Sequence, residues 1–281
     1  MKKFFKQKPN QNVREKLYEV FKGFTGRIVL GKSHCGRPID AFILGNQNDE
    51  LTVMAGGFHG SEWLTILILI KFLNDLLKEG SESATCIIPC VNPDGTEIAI
   101  SGANSSGKYK DLVEKISPNK TECWQANARG VDINHNFDAN WENLRKMEIE
   151  NNITGPAATR FGGKSPESEL ETKAICDFCR KFNVKKVFAF HSQGEVIYWN
   201  YGNKTPHESE NLAKKLSDAS GYELDFPEGL AVGGGFKDWF IEKFQRPGFT
   251  IEIGKGKNPL PLDSAEKIYN KIKKMLWHCI D

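Results

Sequence analysis

Leu51 to Ala55, LTVMA, is an apolar run with no room for a polar face, the pattern of a strand buried on both sides. Gly56 and Gly57 break it, and Ser61 stands where it can cap a second apolar run, Trp63 to Leu77. That run has helical length and stops at Gly80. Ala84 to Val91, ATCIIPCV, predicts another buried strand, closed by the turn-former sequence Asn92-Pro93-Asp94-Gly95. Upstream, GRIVLGKSHCGRPIDAFILG predicts two short strands around a turn at Cys35-Gly36-Arg37-Pro38.

The later chain alternates in the same way. Ser101 to Asn127 is polar and aperiodic and predicts a long loop, and Asn151 to Pro166 is also irregular. Glu167 to Phe182 predicts a helix, Val184 to Phe190 a strand ending at His191, and Glu195 to Tyr201 another strand. Glu208 to Ser220 is amphipathic, Gly233-Gly234-Gly235 opens a helix through Asp238-Trp239-Phe240, Phe249 to Ile253 is a strand, and Pro261 to Trp277 a closing helix. Strands alternating with helices predict one α/β domain over residues 25–281, its mostly parallel sheet covered on both faces. Residues 1–24 read as a polar, partly helical arm, and there is no internal repeat.

Composition narrows the function. With 281 residues, 39% hydrophobic, 26% charged and a net charge of +2, the chain is an ordinary globular sequence. No general field draws it to nucleic acid or to an anionic membrane. The basic start MKKFF leads into no apolar core of a secretory signal, and Leu64 to Ile70 is too short to span a bilayer, so a cytoplasmic location is expected. Seven cysteines at irregular spacings fit free thiols in a reducing compartment; Cys176 and Cys179 form a CxxC inside a helical pattern with no second CxxC to answer it.

Candidate chemistry begins in the loop after the first buried strand. His59 and Glu62, three residues apart at a strand's C-terminal end, can grip one hard or borderline cation such as zinc; the plainer alternative is a solvated loop histidine and an acid at a helix N-terminus. His191 leaves another strand, and such ends converge on one crevice in an open α/β sheet. Two histidines and one glutamate are the ligand type of hydrolytic zinc sites. Glu252 interrupts an apolar strand. It is either a core carboxylate paired with a base or a general base acting on water.

In order, His59-x-x-Glu62, Asn92-Pro93-Asp94-Gly95, Gly130-Val131-Asp132-Ile133-Asn134, His191-Ser192-Gln193-Gly194-Glu195 and Phe249-Thr250-Ile251-Glu252 resemble the zinc carboxypeptidase family, from about Gly26 onward. The resemblance implies one Zn²⁺ held by His59, Glu62 and His191, Glu252 as general base and acid, and a mixed sheet of about eight strands flanked by helices. HSQGEVIYW and NARGVDINHNFDANW look most like the branch of γ-D-glutamyl–diamino-acid endopeptidases. That branch implies a peptide substrate, a muropeptide stem cut between γ-D-Glu and a diamino acid such as meso-diaminopimelate. Such a substrate would be met in cytoplasmic recycling of wall fragments or on release late in sporulation.

Two departures qualify the likeness. Typical members carry an arginine after the asparagine of Val-Asp-x-Asn, to hold a terminal carboxylate; here His135 follows Asn134, and an imidazole lacks the bidentate fork. Asn134 is retained and, with His135, is a substrate-binding candidate; the plainer alternative for His135 is a structural turn histidine. Arg129 is the one arginine between Gly102 and Val131, which makes it the candidate to polarise the scissile carbonyl. The mobile tyrosine of digestive members has no counterpart in EGLAVGGGFKDW, where Lys237 stands in the stretch lining the side-chain pocket, a match for an acidic guest. Tyr198 closely follows His191 and is a candidate cleft residue. His34, His207 and His278 show no partner pattern, and Trp63, Trp239 and Trp277 fall on apolar helix faces. The competing functions are an ordinary metallocarboxypeptidase, a zinc-dependent N-acyl amino-acid deacylase, and a silent peptide-binding module.

Overall fold

The computed structural model describes residues 24–46 and 48–281. The expected arm over 1–24 falls, but for Phe24, outside them. The strands are β1 (Arg27–Lys32), β2 (Pro38–Leu44), β3 (Leu51–Ala55), β4 (Thr85–Ile88), β5 (Val184–His191), β6 (Val196–Tyr198), β7 (Glu223–Asp225) and β8 (Gly248–Glu252); β7, Glu-Leu-Asp, is not an apolar run and the pattern did not predict it. Between them lie helices α1 (Leu64–Glu79), α2 (Pro93–Ser101), α3 (Lys110–Ile116), α4 (Trp141–Glu150), α5 (Leu170–Lys181), α6 (Glu208–Ser220), α7 (Phe236–Phe244) and α8 (Ala265–Ile280).

The strands make one mixed sheet in the order β1-β2-β4-β3-β5-β8-β6-β7. Its centre, β4-β3-β5-β8, is parallel throughout. Alternate side chains of these strands enter two separate cores. Met54, Phe188, Phe190 and Ile251 pack under α1, α6 and α8, whereas Val53, Ala55, Val187 and Ala189 pack under α5 and α7. The chain leaves β3 for β4 on one side and returns in β5 on the other, so β3 and β5 flank a reversal of strand order. Ligand sites of open α/β sheets form in that crevice, at the carboxyl ends of the strands.

Three expectations from the sequence need correction, and one helix was not foreseen. Asn92-Pro93-Asp94-Gly95 does not merely turn the chain: Asn92 N-caps α2, its side chain accepting from the Gly95 N–H at 2.8 Å, with Pro93 at the first helical position. Ser61 does not cap α1; it lies in a 3₁₀ turn (Gly60–Glu62), and α1 begins at Leu64 without a side-chain cap. Ser101–Asn127 is not one loop: a 3₁₀ segment (Ala103–Tyr109) and α3 fold over a small core of Ile98, Val113, Trp124 and Ala126. The unforeseen helix is α4, which buries only Leu144 and Glu148 and so lacks an apolar stripe.

Cys176 and Cys179 are free and buried within α5. Burial pushes both thiols well above their usual range, the behaviour of packing residues. Among the described residues no helix is long and apolar enough to cross a membrane.

Lys186 of β5 is buried, and its ammonium donates to the Asp281 carbonyl at 3.0 Å. Burial, reinforced by Lys185, pulls it down to about 8 from 10.5. The unfolded chain keeps this proton to higher pH than the folded one, so stability rises as pH climbs from about 8 to 10.5. Lys186→Met is therefore expected to stabilise the fold by roughly 1 kcal/mol at pH 7, the gain fading above pH 8. Thermal unfolding across that range measures it; a destabilised variant at pH 7 would show that the Asp281 bond outweighs desolvation.

Candidate metal centre

The loop after β3 is fixed from behind. Asn92 donates its side-chain amide to the Phe58 carbonyl at 3.0 Å and to the Gln125 carbonyl at 3.2 Å. Gly60 lies so close to α2 that a Cβ there would fall 2.2 Å from the Gly95 carbonyl oxygen, which only glycine avoids. The residues read as a turn thus buckle this loop to the start of α2. On the loop, His59 precedes the 3₁₀ turn that carries Glu62.

His191 ends β5, its ring stacked on Phe58 at 5.1 Å and 4.8 Å from the His59 ring. The Nδ1 atoms of both histidines converge on one carboxylate: His59 Nδ1 is 2.9 Å from Glu62 Oε1, and His191 Nδ1 3.1 Å from Oε2. The Ser192 N–H donates to Oε2 at 3.2 Å. Asn258, locked to Ser192 by two bonds of 2.9 and 2.6 Å, reaches Oε1 at 3.5 Å. Glu62 and His191 are buried and His59 is nearly so. Donors of a tetrahedral ion with bonds of about 2.1 Å stand about 3.4 Å apart, so these three side chains need little rearrangement to hold zinc.

Sequence reasoning missed the partner of His59. Asp132, fully buried, faces His59 Nε2 across 3.0 Å and accepts from the Asn134 and Arg160 N–H groups at 3.0 and 2.8 Å. A carboxylate on the second ring nitrogen leaves Nδ1 free to ligate and fixes the ring. The available signal was an acid inside the apolar Val131–Ile133 stretch. Asp132→Asn is expected to weaken metal affinity 10–100-fold. Competition with a chromophoric chelator reads it, and unchanged affinity would remove Asp132 from the support.

The charges match this geometry. Burial raises the Glu62 carboxyl, but His59 and His191 outweigh it and bring it down to about 2. Asp132 is likewise held far below the usual carboxylate range despite burial, chiefly by His59 and His135. Burial lowers both imidazoles; Glu62 and Asp132 reverse that for His59, which is raised, whereas His191 stays lowered. Glu252 goes the other way, pushed well up by burial and then by Glu62. It pairs with His191 in the β5–β8 register, and its carboxylate has no hydrogen-bond partner among the described residues. A free, proton-retaining carboxyl beside a ligand set is equipped for acid–base work.

The other predicted residues are placed less directly. Tyr198 is on β6, beside β8, its hydroxyl pushed up by burial and by Glu252. Asn134 accepts from the Phe236 N–H at 3.1 Å, joining its loop to α7. His135 is buried with Nδ1 2.8 Å from Glu148 Oε1. Lys237 is buried too, donating to the Asn200 carbonyl at 2.8 Å, bonded to Asp238, and 5.6 Å from the Tyr201 ring. Arg129 is partly exposed, with Nη1 3.5 Å from Glu169 Oε1, and no bond joins it to the histidine cluster.

Comparison with known proteins agrees with this geometry. The sequence profile of zinc carboxypeptidases matches residues 12–275. Gamma-D-glutamyl-L-diamino acid endopeptidase 1 of Lysinibacillus sphaericus is 36% identical over 86% of this chain, which spans 64% of that protein's length. YqgT of Bacillus subtilis is 32% identical, with 95% of this chain and 74% of that protein covered. Among solved structures, bovine thrombin-activatable fibrinolysis inhibitor, in complex with a tick carboxypeptidase inhibitor, superposes with a TM-score of 0.74 over 99% of this chain and 97% of that one; at 20% identity this likeness speaks for the fold alone.

Proposed function

The chain belongs to the zinc carboxypeptidase family, and on that premise we propose that it hydrolyses the amide bond between γ-D-Glu and a diamino acid in bacterial cell-wall peptides. The observation that carries the reading is the convergence of two Nδ1 atoms on the Glu62 carboxylate, next to the unpartnered Glu252. The donor set fits zinc, and the family implies it. When bound, the ion supplies a Lewis acid for the scissile carbonyl and acidifies a water.

The chain's own residues do the rest. Glu252 takes a proton from the attacking water and returns it to the leaving amine nitrogen, a role suited to a carboxyl whose affinity for protons is raised. Arg129, partly exposed and 3.5 Å from Glu169, would have to leave that acid to stabilise the negative charge that develops on the carbonyl oxygen. Asn134 and Tyr198 contact the peptide, whereas Lys237, buried and paired with Asp238 and the Asn200 carbonyl, braces α7 and does not draw an acidic group of the substrate.

The substrate class rests on the likeness to the Lysinibacillus endopeptidase. It also rests on His135, which offers no guanidinium fork and is engaged with Glu148, a poor arrangement for gripping a terminal carboxylate as a strict carboxypeptidase does. Mass spectrometry of defined stem peptides after incubation with the zinc-loaded protein tests the proposal. Cleavage at the γ-D-Glu–diaminopimelate bond is expected. Release of C-terminal residues alone, or hydrolysis of N-acyl amino acids with stem peptides intact, would overturn it.

A further inference from the structure

A second histidine–carboxylate cluster lies away from the β3–β5 crevice, where the turn between β1 and β2 meets the start of α5. His34, which shows no partner in the sequence, points Nε2 at Glu169 Oε2 (3.1 Å) and at Glu171 Oε2 (3.8 Å). One ligand atom from each of the three lies within 4.8 Å of the others. Both glutamates have 0% exposure, and the His34 side chain has 12%, which leaves a route from solvent.

The two carboxylates differ in how they are satisfied. Glu169 is well served: Ser168 donates to Oε1 at 2.7 Å, Arg129 stands 3.5 Å from the same oxygen, and Asn127 donates to Oε2 at 2.8 Å. Glu171 is not. Its Oε2 receives the longer 3.3 Å contact from Asn127, and its Oε1 has no hydrogen-bond partner. It has no lysine or arginine partner among the described residues, and the nearby Asp94 is taken by Ser33, the Cys35 N–H and Arg37. A fully buried carboxylate left half-satisfied is costly, and one imidazole at these distances cannot serve two acids. An imidazole nitrogen with two carboxylates is, by contrast, a donor set that borderline divalent cations accept, and separations of 3.1 and 3.8 Å bracket the roughly 3.4 Å between donors of a tetrahedral ion.

We propose that His34, Glu169 and Glu171 form a second divalent-cation site, selective for a first-row transition ion, that ties the β1–β2 turn to the N-terminus of α5. The site uses Oε2 of Glu169 and the Glu171 carboxylate, whose Oε1 has no partner of its own, and leaves Arg129 and Ser168 on the far oxygen of Glu169. The site lies away from the β3–β5 crevice but shares Glu169 with Arg129, so its occupancy is read by metal content and not by turnover.

The test titrates the metal-free full-length protein with Co²⁺ and with Zn²⁺, and counts ions retained after gel filtration by mass spectrometry. Wild type is expected to retain two equivalents, and His34→Ala and Glu171→Gln one each. Glu62→Gln should keep the equivalent at His34 and lose the other. His34→Ala alters a partly exposed turn, so it reports even if Glu171→Gln does not fold. A single equivalent in wild type, or two in His34→Ala, would overturn the proposal.

Discussion

Glu252→Gln is expected to cut hydrolysis by roughly 10²–10⁴-fold, the range associated with one acid–base group, while metal content and folding stay as in wild type. The amide keeps the shape of the side chain at the end of β8 but holds no transferable proton. Burial and Glu62 both favour the protonated carboxyl of Glu252, so the wild-type rate should rise with pH as that carboxyl ionises. The variant's residual rate should lose that limb of the profile. Initial rates across pH, with metal content measured on the same samples, give both readouts. A Gln variant within a few-fold of wild type would exclude Glu252 as the proton carrier.

Glu62→Gln should act earlier, on the metal itself. Both Nδ1 atoms face this one carboxylate, so replacing its charge removes a ligand and the anchor of the other two. Affinity is expected to fall by more than roughly 100-fold, beyond the loss typical of an outer partner such as Asp132. Stability should report the same change in the metal-free protein. The folded Glu62 carboxyl is lowered from 4.5 to about 2, so its contribution is fully present above 4.5 and is lost as pH falls toward 2. Wild type should thus exceed the variant in stability at neutral pH, with the gap closing over that interval. A gap that persists or widens in acid would place the effect elsewhere.

The central strands were legible because their apolar runs are buried on both faces; LTVMA in β3 is buried throughout, whereas β7, exposed at both ends, left no signal. Amphipathic α6 runs over Glu208–Ser220 as its pattern predicts. Helices that cover little core were not legible. α4 shows no stripe, and α3 buries a single residue, Val113, against Ile98 of α2 and the Trp124–Ala126 segment. Asn92-Pro93 was ambiguous because proline opens a turn and a helix equally well, and only packing decides.

The cluster of His59, Glu62 and His191 could be anticipated because each leaves a strand end on the same side of the sheet. Asp132 escaped because its role exists only through a contact spanning 73 positions, and His34 with Glu169 spans 135. Neither pairing is visible locally, although the acid inside the apolar Val131–Ile133 stretch marked Asp132 as unusual. Lys237 shows the reverse: its place in the Gly-rich segment was legible, but its pairing with Asp238 and the Asn200 carbonyl was not.

The most direct measurement is anomalous diffraction at the zinc edge from crystals of the zinc-loaded protein. A peak bonded to Nδ1 of His59, Nδ1 of His191 and the Glu62 carboxylate, with Asp132 still on His59 Nε2, is the predicted result. A folded, zinc-saturated protein with no ion at those three side chains would contradict the account.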